Sequence, residues 1–390
     1  MMNRVIVIVL DGLGVGAAPD AGEYGDQDAN TLAHVADAVG GLTLPNLQSL
    51  GLGHIGAFSG IPRVGQPLGC FGRMAGLSKG KDATAGHWEM VGLVTKEPFP
   101  TYPEGLPEGV IEAIQEAIGR KALGNRVASG IEIVKELGGE HLATAFPIVY
   151  TNANSVVQIA AHERIISKEE LYRMCRAARK VLSPPHRVAR VIAQPFTGEM
   201  GAFVGTEGRK AFSVEPPGES LLDCARRAGY PVVGVGKIET LFCGRGFTRS
   251  IHTVSNAGMD EIVRLLVNVP RGLIFADLAD VETLNGHRED AAWFARGLQE
   301  FDLRLAGLLG ALKPGDLLCL VADHGHDLTR QGRGHSREYV PLLAYGPKLA
   351  RGVNLDTRET FADLGQTVSE ALGLNQLTVG ESFLGAIRAG

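Results

Sequence analysis

Six consecutive apolar and mostly β-branched residues, Val5 to Leu10, stand between Arg4 and the pair Asp11-Gly12. A run without polar alternation predicts a strand buried on both faces, as in a parallel sheet covered by helices. The same grammar returns downstream. Asp302 to Leu312 has helical spacing, Lys313-Pro314-Gly315-Asp316 turns the chain, and Leu317 to Ala322 predicts a strand that ends in Asp323-His324. Gly272 to Phe275 predicts another, leading into Asp277, Asp280 and Glu282, and a helix carrying Leu221, Leu222 and Ala225 leads into a strand at Pro231 to Val235. Strands alternating with helices imply an α/β fold with a mostly parallel sheet flanked by helices.

The middle of the chain reads differently. Val110, Ile111, Ile114, Ala117 and Ile118 follow helical spacing, and Ser167-Lys-Glu-Glu170 has the form of a capping box opening a helix with Leu171, Met174, Cys175 and Ala178. A strand-like segment, Arg187 to Ala193, precedes a Gly- and Pro-rich stretch from Gly198 to Gly218 that suits a hinge. The expected organisation is a discontinuous α/β core, residues 1–98 and 217–390, interrupted by a smaller α+β domain at 99–216.

Composition narrows the partners. With 38 basic against 43 acidic residues the net charge is -5, so the chain lacks the basic stripe that phosphate-backbone binding needs, and no nucleic acid is expected. No apolar run approaches the roughly 20 residues of a membrane span, and no membrane partner or secretory signal is expected. Five cysteines, widely scattered and without metal-ligand spacing, suit reduced core residues of a cytoplasmic protein. Glycine, at 52 of 390 residues, is nearly twice its usual share of about 7%, which predicts many tight turns. The loop Gly12-Leu-Gly14-Val-Gly16 after the first strand has the wrong spacing for a dinucleotide fingerprint, and Asp11 sets negative charge where a pyrophosphate would sit.

In an open parallel sheet, ligands bind beyond the carboxyl ends of the strands. Here those ends deliver Asp11, then Asp277, Asp280 and Glu282 with His287, then Asp323 and His324, with His335 following in a glycine-rich loop. Carboxylates gathered at one edge repel unless cations neutralise them, so the set calls for metal. Oxygen and nitrogen donors without thiolate suit two divalent ions such as Mn²⁺, Mg²⁺ or Zn²⁺, the usual apparatus of phosphoryl transfer. Lys81-Asp-Ala-Thr84-Ala-Gly-His-Trp-Glu89 offers one hydroxyl, Thr84, as either a helix cap or a nucleophile whose ionisation a nearby divalent cation would favour.

Lys81-Asp82 with Gly86-His-Trp-Glu89, Gln158-Ile-Ala-Ala-His-Glu163, Gly286-His-Arg288, Ala322-Asp-His-Gly325 and His335-Ser-Arg-Glu-Tyr-Val-Pro341 together resemble the phosphopentomutase family of the alkaline phosphatase superfamily. The resemblance spans nearly the whole chain. It implies an alkaline-phosphatase-like core with a cap, two Mn²⁺ ions, a sugar or glucose bisphosphate as activator, and a small sugar phosphate as substrate. The implied reaction interconverts (deoxy)ribose 1-phosphate and 5-phosphate through a phosphorylated Ser/Thr and a sugar bisphosphate. Asp11, Glu282, His287, Asp323, His324 and His335 fall on metal-ligand positions, Glu282 standing where Asp is usual, with Asp280 in reserve. The nucleophile position falls on Ala83, leaving Thr84 one residue along as the expected phosphoryl carrier. Asn154 replaces an Asp of the sugar site, and Gln194 and Gly205 replace Arg, while Gly208 and Ala211 stand where Asn and Asp are usual. Asn154, Arg209 and Lys237 are the expected substrate-binding residues. Two alternatives stay open: a dimetal phosphohydrolase or a mutase for a related sugar phosphate, and a metal-binding pseudoenzyme.

Overall fold

In chain order the strands are β1 (Arg4–Val9), β2 (Cys70–Met74), β3 (Leu123–Val127), β4 (Ile148–Thr151), β5 (Val156–His162), β6 (Arg190–Thr197), β7 (Val204–Gly205), β8 (Lys210–Ser213), β9 (Val232–Gly236), β10 (Arg249–Ile251), β11 (Gly272–Asp277), β12 (Asp316–Val321), β13 (Val340–Tyr345) and β14 (Asn354–Arg358). The computed structural model describes residues 2–152, 154–253, 255–278, 290–330 and 334–389. Contacts divide the chain into two units, Met1–Pro98 with Pro216–Gly390, and Phe99–Glu215.

The first unit holds an eight-stranded sheet in the order β10-β9-β11-β1-β12-β13-β2-β14. Strand β13 alone runs against its neighbours, so the sheet is mostly parallel. Strands β1, β9, β11 and β12 are buried at every position, which is why their sequences lack polar alternation. Their register matters most for function. Val9 lies beside both Asp277 and Val321, and Asp277 lies beside Gly236, so four strands end at one level. Whatever follows those residues must share one small volume.

The helical pattern read from Asp302 is the second half of a 21-residue helix, Ala291–Ala311, whose N-cap Asp290 accepts from the Trp293 N–H. It packs against the helix Ser255–Asn268. Among the described residues no helix is long and apolar enough to cross a membrane.

The second unit is built on a six-stranded mixed sheet, β3-β4-β5-β6-β7 with β8 also paired to β6. Period-two alternation splits its apolar residues between two layers. Ile148, Tyr150, Ala160 and Phe196 pack with Ile133 and Val134 of the helix Gly130–Thr144. Val149, Val157, Ile159 and Val191 pack with Ile114, Leu171 and Met174 of the helices Glu108–Ile118 and Lys168–Val181. Ser167 caps the last of these, accepting from the Glu170 N–H. The Gly- and Pro-rich stretch expected as a hinge carries β7 and β8, because antiparallel pairing with β6 satisfies its backbone groups despite the glycines.

Candidate metal centre

Asp11 lies two residues beyond β1, Asp323 two beyond β12, Asp277 closes β11, and Lys237 follows β9. The common strand level therefore brings three acidic side chains and an ammonium together, all three carboxylates buried. Ligand atoms of Asp11, Asp323 and His324 lie within 4.8 Å of one another. His324 shows how this group is polarised. Its Nδ1 is 3.0 Å from the Gly325 carbonyl oxygen, an acceptor, so Nδ1 carries the proton and Nε2 the lone pair in the neutral ring. That Nε2 stands 3.5 Å from Asp11 Oδ1 and 3.1 Å from Asp323 Oδ2. A lone pair facing two carboxylate oxygens is repulsive unless a cation lies among them or the ring is protonated. The donor set thus fits a divalent ion bound by oxygen and imidazole.

Lys237 compensates part of the charge. Its Nζ is 2.6 Å from Asp11 Oδ2 and 3.9 Å from Asp277 Oδ2. Burial alone would push the Asp323 carboxyl up, but His324 and His87, when their rings are protonated, and the Lys237 ammonium reverse this and hold it well below the usual carboxylate range. Among the described residues, neither Asp277 oxygen nor Asp323 Oδ2 receives a hydrogen bond of good geometry. Unsatisfied buried carboxylate oxygens cost several kcal/mol, which again marks a place for positive charge.

The helix Ala83–Met90 supplies the remaining wall. Asp82 caps it, accepting from the N–H groups of Thr84 and Ala85, so Thr84 sits in the first turn and is not the cap. Gly86 allows the close approach: a Cβ there would lie 2.2 Å from the Asp323 carbonyl oxygen. His87 faces the carboxylates, with Nδ1 2.7 Å from the Ala83 carbonyl oxygen and Nε2 3.3 Å from Asp277 Oδ2. Burial opposes its protonation, yet Asp323 and Asp277 raise its pKa above the usual imidazole value. The Thr84 hydroxyl is fully buried and has no hydrogen-bond partner among the described residues. One turn on, the Trp88 indole donates to the Leu241 carbonyl at 2.9 Å, tying this helix to the segment that follows Lys237.

His335 arrives from a separate loop. Its ring stacks on His324 with centroids 3.5 Å apart, and its Nδ1 is 2.9 Å from the Lys81 carbonyl oxygen, so Nε2 is the nitrogen that could bind a cation. The structure therefore brings Asp11, Asp323, His324, His335 and Lys237 into one neighbourhood. Glu282, His287 and the reserve Asp280 lie outside the described residues. Asn154 and Arg209 belong to the second unit: Asn154 N–H donates to Asn152 Oδ1 at 3.0 Å, and Arg209 is an exposed residue leading into β8. His87 joins the site without having been assigned to it from sequence, and Asp277, read there as a strand-end acid but not placed among the ligand positions, joins it too. The available signal was a polar residue closing the apolar run of β11, and an imidazole in a helix of otherwise small and apolar groups.

Comparison with known proteins bears on this geometry. A model described as the metalloenzyme superfamily matches residues 244–376. A phosphopentomutase of Clostridium novyi (strain NT) is 49% identical over 385 residues, covering 98% of this chain and 99% of that protein. A phosphopentomutase of Acetivibrio thermocellus is 51% identical over 387 residues, covering 99% of this chain and 100% of that one. Among solved structures, Leishmania mexicana phosphoglycerate mutase at low cobalt concentration aligns with a TM-score of 0.48 at 12% identity, covering 100% of this chain and 98% of that one. The fold is that of the alkaline phosphatase superfamily, and the chain belongs to the phosphopentomutase family.

Proposed function

We propose that the protein is a metal-dependent phosphomutase interconverting (deoxy)ribose 1-phosphate and (deoxy)ribose 5-phosphate through a phosphoenzyme and a sugar bisphosphate. The observation that carries this reading is the convergence of Asp11, Asp323 and His324, with the His324 Nε2 lone pair turned toward two buried carboxylates. In this reading Asp11, Asp323 and His324 hold one divalent ion, and Glu282, His287 and His335 hold a second. Two Mn²⁺ ions, when bound, neutralise charge that builds on a phosphoryl group in transit.

The chain's own residues do the rest. Thr84 is the phosphoryl carrier, fixed in the first turn of its helix, where the helix N-terminus favours an anionic group. In one half-reaction the P–O bond to Thr84 Oγ breaks as a sugar hydroxyl bonds to phosphorus, and the proton of that hydroxyl ends on the departing Thr84 oxygen. In the other half the opposite phosphate of the bisphosphate returns to Thr84. A glucose or sugar bisphosphate primes the enzyme by the same second half-reaction. Lys237 offers an ammonium beside Asp11 that can turn to a phosphate oxygen, and Asn154 and Arg209 recognise the sugar phosphate. His87 holds charge and orientation for Asp277 and Asp323.

A phosphohydrolase reading has one observation in its favour. Ala83 and His87 are four residues apart on the helix and so share the stripe that meets the carboxylates, whereas Thr84 shares its stripe with Trp88. The discriminating experiment incubates Mn²⁺-loaded protein with ribose 5-phosphate and a catalytic amount of glucose 1,6-bisphosphate. Ribose 1-phosphate without free phosphate is the expected result. Net phosphate release would favour the hydrolase, and absence of both products would leave a metal-binding pseudoenzyme.

A further inference from the structure

Glycines 12, 14 and 16 follow β1 in a pattern that no ligand of the proposed reaction explains, and in the structure a side chain of the protein itself occupies the position that the loop opens. Glu338, buried and three residues beyond His335, places its carboxylate against this loop. Oε2 accepts from the Gly16 N–H at 3.1 Å and the Thr31 N–H at 2.9 Å, while Oε1 accepts from the Thr31 hydroxyl at 2.6 Å and the Ser336 hydroxyl at 2.7 Å. Four donors surround one carboxylate, two of them hydroxyls.

Two glycines exist to let it in. A Cβ on Gly14 would lie 2.1 Å from Glu338 Oε2, and one on Gly325 would lie 2.3 Å from Oε1. Neither Gly14 nor Gly325 has a positive φ, so their lack of a side chain answers to this close approach and not to backbone conformation. Gly14 is three residues from Asp11, Gly325 follows His324, and Ser336 follows His335. One carboxylate therefore touches all three ligand-bearing segments.

The surrounding backbone completes the clamp. Gly325 and Ser336 exchange N–H to carbonyl hydrogen bonds of 3.1 and 2.8 Å, which pairs the segments carrying His324 and His335. The Thr31 hydroxyl also lies 2.9 Å from the His326 N–H, which donates to it. Val15 and Tyr339 are likewise tied, the Val15 N–H donating to the Tyr339 carbonyl at 2.9 Å.

We propose that Glu338 is a positioning residue of the metal centre, whose shape and hydrogen bonds fix Asp11, His324 and His335 relative to one another. The proposal rests on the metal reading given above. Outer groups that orient ligands without touching the metal are worth about ten- to hundredfold in metal affinity.

The test uses the full-length protein stripped of metal, titrated with Mn²⁺ by calorimetry, with the visible absorption of the Co²⁺-loaded protein as a reading of coordination geometry. Glu338→Ala removes the anion. Gly14→Ala keeps the charge but drives a methyl into it. Both are expected to weaken Mn²⁺ binding by about ten- to hundredfold and to shift the Co²⁺ spectrum, with far-ultraviolet circular dichroism unchanged. Glu338→Gln keeps the shape, and rotation of the Thr31 and Ser336 hydroxyls lets its amide be satisfied, so it is expected to restore binding close to wild type. Should Glu338→Ala fail to fold, the Gly14→Ala and Glu338→Gln pair still decides. Wild-type affinity and an unaltered Co²⁺ spectrum in Gly14→Ala or Glu338→Ala would overturn the positioning role while leaving the metal reading intact. Failure of the wild type itself to take up Mn²⁺ would remove that reading and the proposal with it.

Discussion

The two units of this chain carry their candidate chemistry in opposite ways. In the first, acidic and imidazole groups follow directly on strands that are buried at every position and stop at one level, so the register of the sheet sets where they meet. In the second, Asn154 sits in a turn and Arg209 on an exposed approach to β8, where the backbone constrains a side chain far less. Gln194 and Gly205, two further departures from the resembled family, neighbour each other there: a Cβ on Gly205 would lie 3.2 Å from Gln194 Nε2. Change is therefore tolerated unequally in the two units. Moving a strand-end carboxylate leaves its partners unpaired in a dry site at a cost of several kcal/mol, whereas a loop residue can be exchanged at the expense of one contact.

Three substitutions bear on that contrast. The largest effect belongs to Asp323→Asn, which removes a charge bracketed by His324 and His87. Phosphoryl transfer is expected to fall by roughly a thousandfold or more, equivalent to about 4 kcal/mol of lost transition-state stabilisation, with weakened Mn²⁺ uptake. Retention of both rate and uptake would show that the strand ends do not hold the ion. Thr84→Ala is expected to leave Mn²⁺ uptake in place, a narrower effect, but to abolish mutase turnover: intact-mass measurement should find a phosphoryl adduct that maps to Thr84 in the wild type and is missing in the variant. An adduct elsewhere, or unaltered mutase activity, would break the assignment of the carrier.

The smallest effect concerns stability. The Asp327 carboxylate accepts from Asn30 N–H, His34 Nδ1, Thr329 N–H and the Thr329 hydroxyl, at 3.1, 2.6, 3.2 and 2.8 Å. Burial would raise its pKa, but these bonds, led by that from Asn30, hold it below the usual aspartate value of 3.8. A depressed carboxyl pKa contributes stability that is present above the unfolded-state value and lost as pH falls through the folded-state one. Asp327→Asn is therefore expected to cost about 1–2 kcal/mol at neutral pH. The gap between wild type and variant in urea unfolding should close as the pH is taken below 3.8. A gap that widens on acidification would contradict the assignment.

Much of the first unit was legible because continuous apolar runs have one reading in an α/β chain. Val5 to Leu10 and Leu317 to Ala322 announced buried parallel strands, and the residues just after them announced the site. The rest depended on distance in space. Glu338 is separated from Thr31 by 307 positions, and nothing local in either residue signals that they meet. Asp277 was visible as a strand-end acid, yet its neighbour His87 comes from a helix far upstream, so their pairing could not be read. Strands β7 and β8 within the stretch from Gly198 to Gly218 were not legible for a physical reason: glycine and proline content reports local preference, and pairing with β6 overrides it.

The central claim is that donors from β1, β12 and the His335 loop, with Glu282 and His287, cage divalent cations. Elemental analysis of purified protein, stripped and then resupplied with Mn²⁺, tests it most directly when run beside Asp323→Asn. Two manganese ions per chain are expected in the wild type and a clear loss in the variant. No stoichiometric manganese in the wild type, or equal amounts in both proteins, would contradict it.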